Sequence, residues 1–272
     1  MAKYKKKRAR ELQHDRFRDT ANTLFDRLGD RLEGKGKTIL YGLVGVILVG
    51  VLVGVWVKWS SRKADEARRA LGRGIAIATA PLSTAEVPSV DPKAPKFASE
   101  EERSQKAIEE FQKVVAKYGD PYRSEARYFI ATNMLYVDRD KGLAELAELS
   151  KSNLAEVAAL AKFALAQEKE VDRKYDEAAQ LYAELAAQNS TVVTPDIANL
   201  SLAGVYEKQG KKKEAADLLF NLVDAGRKAK DKDGAPLPQS AAASAAAEKL
   251  QKLDPERSAQ LGPAFPSGDT PF

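Results

Sequence analysis

Two stretches of this chain place small residues twelve positions apart on either side of a short break, and that interval narrows the fold more than any other feature. In the clearer stretch Ala203 and Ala215 flank a turn at Gly210, with Leu202, Tyr206, Leu219 and Leu222 around them. The second has Ala166 and Ala178 with Leu165, Tyr182 and Leu185, and it precedes the first by 37 residues. Apolar residues at three- and four-residue steps make each flank an amphipathic helix. Alanine at both positions lets two antiparallel helices touch, and the larger side chains fill the space around the contact. A third, weaker stretch sets Ala131 against Leu143 and Ala144, and an earlier second helix carries Ala107, Phe111 and Val114 ahead of Pro121. The step from Ala144 to Ala178 is 34 residues.

A period near 34 with this pattern of small and large residues resembles the tetratricopeptide repeat, a helix–turn–helix unit that stacks into a solenoid. The expected fold is therefore all-α. It consists of an N-terminal amphipathic helix, one transmembrane helix, and a tetratricopeptide-like solenoid of three to four degenerate repeats. Helical patterning runs from Ser99 to Leu253, and the alanine-rich helix Gln239 to Leu253 is expected to cover the last repeat as a cap. The helix from Arg62 to Ala80 is a candidate first partner for the helix of Phe111, with a segment bearing Pro81, Pro88, Pro92 and Pro95 inserted between them. Five segments follow: a basic tail over 1–38, a span over 39–57, a juxtamembrane helix and proline-rich linker over 58–98, the repeat domain over 99–253 and a flexible tail over 254–272.

The transmembrane expectation comes from Ile39 to Val57, nineteen consecutive uncharged residues between Lys37 and Lys58. At about 1.5 Å per residue such a helix matches the roughly 30 Å hydrocarbon layer. Tyr41, Trp56 and Trp59 stand where interfacial aromatics would. A polar leader of 38 residues is too long for a cleaved signal peptide. Gly50 and Gly54 form a four-residue glycine step that offers a close approach to a second copy, hence a candidate homodimer contact. Ahead of the span, Phe17, Ala21, Leu24, Phe25, Leu28 and Leu32 trace the amphipathic helix.

Charge narrows the function. Residues 1–37 hold twelve basic and six acidic side chains, against 32 and 33 in the remainder, so the net charge of +5 is N-terminal in origin. A neutral body does not offer the basic face of a nucleic-acid-binding domain. The cluster Lys5, Lys6, Lys7, Arg8 and Arg10 reads as a topology signal that keeps the tail on the inner side of the membrane and the repeat domain on the outer side, and it also suits phosphates of anionic lipid or ribosomal RNA.

The chain has no cysteine and one histidine, His14, which removes thiol nucleophiles, zinc ribbons and multi-histidine metal centres. Paired acids such as Glu109 with Glu110 and Glu145 with Glu148 have helix-surface spacing without a base or nucleophile nearby in sequence. Gly34 to Thr38 lacks the glycine a phosphate loop needs five residues before Gly36, where Arg31 stands. No catalytic residue, metal or cofactor is expected.

The expected site is the concave face lined by the first helix of each repeat. Its candidates are Tyr128, Thr132, Phe163, Gln167, Glu170, Leu200 and Glu207. Repeats that clamp a peptide's terminal carboxylate use lysine and asparagine at such places. Tyr128, Phe163 and Leu200 stand there instead, so a carboxylate clamp is not expected.

The tail around Glu11-Leu12-Gln13 to Arg18, the glycine- and valine-rich span ending in tryptophan, and the degenerate repeats resemble the YfgM-like family, ancillary subunits of the bacterial SecYEG translocon. The resemblance implies a single-pass inner-membrane protein whose periplasmic repeats associate with the translocon and with a PpiD-type periplasmic chaperone. It implies a scaffold without catalytic activity that assists export or periplasmic folding. The long basic tail and the proline insertion at 81–97 depart from the shorter family pattern. The alternative is a membrane-anchored, cytoplasm-facing signalling or assembly adaptor.

Overall fold

The structure is a computed structural model that describes residues 62–82 and 96–262. The chain divides into two compact units, 1–65 and 66–272, and the architecture below is that of the second together with the four helical residues that precede its boundary. It is all-α: α1 (62–78), α2 (Glu100–Lys117), α3 (Tyr122–Met134), α4 (Arg139–Leu149), α5 (Ala155–Val171), α6 (Tyr175–Ala186), α7 (Pro195–Lys208), α8 (Lys212–Lys228), α9 (Ala241–Leu253) and the single turn α10 (Pro255–Ser258).

Local sequence explains where the helices start. Ser99 accepts the Glu102 amide at 3.1 Å while Glu102 reaches back to the Ala98 amide at 2.8 Å, a reciprocal cap on α2. Asp138 caps α4 through the Lys141 amide, and Ser240 caps α9 through the Ala243 amide. Thr194 caps α7, whose first residue, Pro195, already has the helical φ and has no amide to leave unpaired.

Consecutive helices pack on each other as tight hairpins. The core is divided into clusters that each bind three successive helices: Ala70, Leu71, Phe111 and Ala126 across α1–α3, Ala131, Leu146 and Ala161 across α3–α5, Ala166, Tyr182 and Leu202 across α5–α7, and Ala203, Leu219 and Leu250 across α7–α9. Each hairpin thus buries its apolar face mainly against its neighbours, the organisation of a repeat array. α9 closes the last hairpin with Ala243, Ala246 and Leu250 fully buried.

Ala166, Ala178, Ala203 and Ala215 are all fully buried. In the third stretch the small position moves. Gly142 faces α3 so closely that a Cβ there would stand 2.9 Å from the Ala131 carbonyl oxygen, whereas Leu143 is half-buried and Ala144 exposed. The expectation that Leu143 and Ala144 occupy the crossing is corrected accordingly. α3 stops three residues past its alanine, where α5 and α7 run on for five, and a four-residue link then leaves the interval at eleven.

α1 packs on α2 through Gly74, where a Cβ would lie 2.4 Å from the Phe111 ring. Arg103 Nη1 donates to the Ala80 carbonyl at 2.9 Å, and Leu82 pairs with Phe97 in a parallel bridge, so both ends of the proline-rich insertion are pinned to the array.

The transmembrane element of the expected fold is also corrected. Among the described residues no helix is long and apolar enough to cross a membrane. The helices there are amphipathic or alanine-rich and each carries charged or polar residues, so the described fold is a repeat array without a spanning helix. The stretch 39–57, the step Gly50 to Gly54 and the amphipathic segment Phe17 to Leu32 lie outside the described residues.

The turns of the last two hairpins, α5–α6 and α7–α8, share their closing hydrogen bonds at the 37-residue interval. Lys211 donates its amide to the Tyr206 carbonyl at 2.9 Å and Gly210 to Glu207 at 3.0 Å; Lys174 donates to Lys169 at 2.8 Å and Arg173 to Glu170 at 3.0 Å. Both are helix-terminating motifs that require a left-handed residue. Gly210 meets that need at φ 75°, but the equivalent position is Arg173 at φ 58°. A left-handed conformation costs a residue with a Cβ about 1–2 kcal/mol. Arg173→Gly is therefore expected to raise the unfolding free energy by about 1 kcal/mol, read from the midpoint of a urea titration. An unchanged or lower midpoint would contradict this account of the turn.

Candidate functional site

Two cavities among the described residues bear on the face expected to bind partners. The larger, about 520 Å³, lies along α5 and α7 and is also lined by Lys249 of α9. Gln167 and Glu170 come from α5, and Leu200, Ser201, Gly204 and Glu207 from α7. Their spacing follows the helical period: Leu200, Gly204 and Glu207 fall on one face, and glycine in the middle leaves the space open.

Both acids in this cavity are already paired. Glu170 accepts the Tyr182 hydroxyl at 2.7 Å through Oε1 and the Lys208 ammonium at 2.5 Å through Oε2. Glu207 accepts from Lys249 at 3.2 Å. Lys208 reaches from the next first helix and Lys249 from the cap, so these carboxylates tie α5 to α7 and α7 to α9. Burial, reinforced by the Glu170 carboxylate, pushes the Tyr182 phenol far above its ordinary range, and it stays a donor at any physiological pH.

The smaller cavity, about 340 Å³, lies between α3 and the start of α5. Tyr128 and Phe129 of α3, Leu154, Val157 and Leu160 around the start of α5, and Val192 from the loop before α7 supply mostly apolar walls. Tyr128 meets Phe129 edge to face at 5.5 Å. Glu125 and Glu156 stand at the same cavity. Burial first, and the Glu156 charge second, raise the Glu125 carboxyl above the ordinary glutamate range, with Arg68 acting the other way. Glu156 Oε1 accepts the Thr191 hydroxyl at 3.0 Å.

Of the residues expected on the concave face, Gln167, Glu170, Leu200 and Glu207 gather at the larger cavity and Tyr128 lines the smaller. Phe163 instead packs edge-on against Tyr182 at 5.5 Å, inside the α5–α7 core. The Thr132 hydroxyl donates to the Phe129 carbonyl of its own helix at 3.1 Å. Sequence reasoning passed over Gly204, which sits one helical turn after Leu200 and was readable from that spacing. Tyr182, Lys249 and Val192 come from a second helix, the cap and a loop, and repeat register carried no signal for them.

No family model matches the chain. No curated protein matches it either. Among solved structures it is similar to two crystal structures of nearly identical TPR-like repeats named for a Podosopora anserina kinesin light chain, one of them a single-substitution variant. Both are 18% identical, and the matches cover 56% of this chain and 77% of the other, with TM-scores of 0.41 and 0.38.

Proposed function

We propose that the chain is a non-enzymatic scaffold that holds protein partners along the first-helix face of its repeat array. The observation that carries this reading is the cavity along α5 and α7, where Gln167, Glu170, Leu200 and Glu207 from successive first helices meet on one open face. Its acids are engaged in holding neighbouring helices together, so partner contact falls to shape and to the uncharged groups between them, Leu200, Ser201 and Gly204.

The finer part of the proposal concerns place and partner. The array works on the periplasmic side of the bacterial inner membrane, in contact with the SecYEG translocon and a PpiD-type chaperone, and assists exported proteins. The family resemblance of the tail and repeats supports this part.

A photo-crosslinking residue at position 200 in the full-length chain is expected to capture a translocon subunit or the PpiD-type chaperone in living cells, whereas the same residue at exposed position 260 does not. Gln260→Cys is expected to react with a membrane-impermeant maleimide in intact cells with permeabilised outer membranes. Capture of neither component from position 200 removes the export assignment. A cysteine at 260 shielded until the inner membrane is lysed replaces the periplasmic placement with a cytoplasm-facing adaptor.

A further inference from the structure

The cavity between α3 and the start of α5 differs in chemistry from the one along α5 and α7. Its walls are aromatic and aliphatic, from Tyr128, Phe129, Leu154, Leu160 and Val192, and two carboxylates, Glu125 and Glu156, stand at it. In the larger cavity each acid has a lysine within 3.2 Å. At the smaller one the exposed Glu156 has a threonine hydroxyl on Oε1, and its charge acts against that of the partly buried Glu125.

Resting on the scaffold reading above, we propose that this cavity binds an apolar–basic segment of a partner polypeptide. An arginine or lysine lays its aliphatic stem along Tyr128, Leu160 and Val192, carries its charge to Glu125 and Glu156, and is flanked by an apolar residue that fills the remaining space. The long stem with a charged end matches walls of this kind, since such side chains bury their methylenes while keeping the head among polar groups. About 340 Å³ accommodates one such side chain with an apolar neighbour and leaves no room for a folded element. Charge complementarity fixes the sign. A cation placed there offsets both the repulsion between the carboxylates and the cost of burying Glu125, while an acidic segment would add to them. Arg68 also acts on Glu125 and weakens the field without cancelling two carboxylates.

The test uses the full-length chain and three fluorescein-labelled twelve-residue peptides in a Gly/Ser background, with central Leu-Arg-Phe, Leu-Glu-Phe or Ser-Arg-Ser. Fluorescence anisotropy is expected to show Leu-Arg-Phe binding about tenfold tighter than either of the others, with that preference falling as salt is raised. The double variant Glu125→Gln with Glu156→Gln is expected to lose about tenfold in affinity for Leu-Arg-Phe and to leave Leu-Glu-Phe unchanged or improved. Glu125→Asp with Glu156→Asp, which retains the charge, is expected to keep the preference. Equal binding of the basic and acidic peptides to the unsubstituted chain overturns the proposal without reliance on any variant, and so does an unaltered preference in the Gln variant. If Leu-Arg-Phe is not preferred while crosslinking from position 200 still captures export components, the cavity assignment falls and the scaffold reading stands.

Discussion

Phe111→Ala is expected to lower the unfolding free energy by about 3–5 kcal/mol, among the largest effects available to a single truncation in this fold. The ring is fully buried and lies nearly parallel to Phe129, with centroids 5.0 Å apart and planes 12° from each other. The ring also lies against Gly74, which has no side chain to move into the vacated space. Truncation therefore leaves a cavity at the meeting of α1, α2 and α3 that none of the three can fill without shifting as a body. Because each hairpin is held mainly by its neighbours, the loss is expected to be local in its first expression. Amide hydrogen exchange should accelerate most in α1, α2 and α3, while α7, α8 and α9 keep most of their protection. Uniform acceleration from α2 to α9 would mean that the array unfolds as one block. An unfolding free energy from urea titration within about 0.5 kcal/mol of the parent chain would mean that Phe111 does not hold the first hairpin.

The same packing logic shows why parts of this architecture were readable in advance and others were not. Ala166 with Ala178 and Ala203 with Ala215 could be paired from spacing alone, because α5 and α7 each run five residues past their alanine before a three-residue turn. Gly210 marks its turn openly. Arg173 occupies the equivalent left-handed position and gives no such sign, since its own amide bond to Glu170 and the Lys174 amide bond to Lys169 hold it there in spite of its side chain. The face along α5 and α7 was legible because Gln167, Glu170, Leu200 and Glu207 all follow from helical phase. The lysines that occupy its acids were not, as Lys249 belongs to the cap and its approach to Glu207 depends on how α9 packs on α7. The smaller cavity was hardest to foresee. Glu156 and Val192 reach it from a helix start and a loop, places where repeat spacing says nothing about direction. Hydropathy over 39–57 pointed to a spanning helix, an expectation that the described fold does not contain. The array's own helices owe their burial to neighbouring hairpins, with small residues at the crossings in place of an all-round apolar surface.

Gly142→Ala is the complementary test, adding one carbon where Phe111→Ala removes several. The new Cβ would lie 2.9 Å from the Ala131 carbonyl oxygen and 2.9 Å from the Leu135 amide nitrogen. Those are backbone atoms, so no rotamer change relieves the contact and α4 must move away from α3. Helix propensity alone favours alanine over glycine by about 1 kcal/mol inside a helix. The crossing is expected to overturn that gain and leave a net loss of about 2–3 kcal/mol, since overpacking a close backbone contact forces displacement of whole elements. Gly72 supplies the control. It is an exposed position within α1 whose Cβ would meet nothing within 4 Å, so Gly72→Ala should stabilise by about 0.5–1 kcal/mol through propensity alone. Parallel urea titrations then give opposite signs for the same chemical change. If both substitutions stabilise, Gly142 is not the crossing point of the second hairpin, and the eleven-residue interval that sets α3 and α4 apart from their neighbours loses its structural cause.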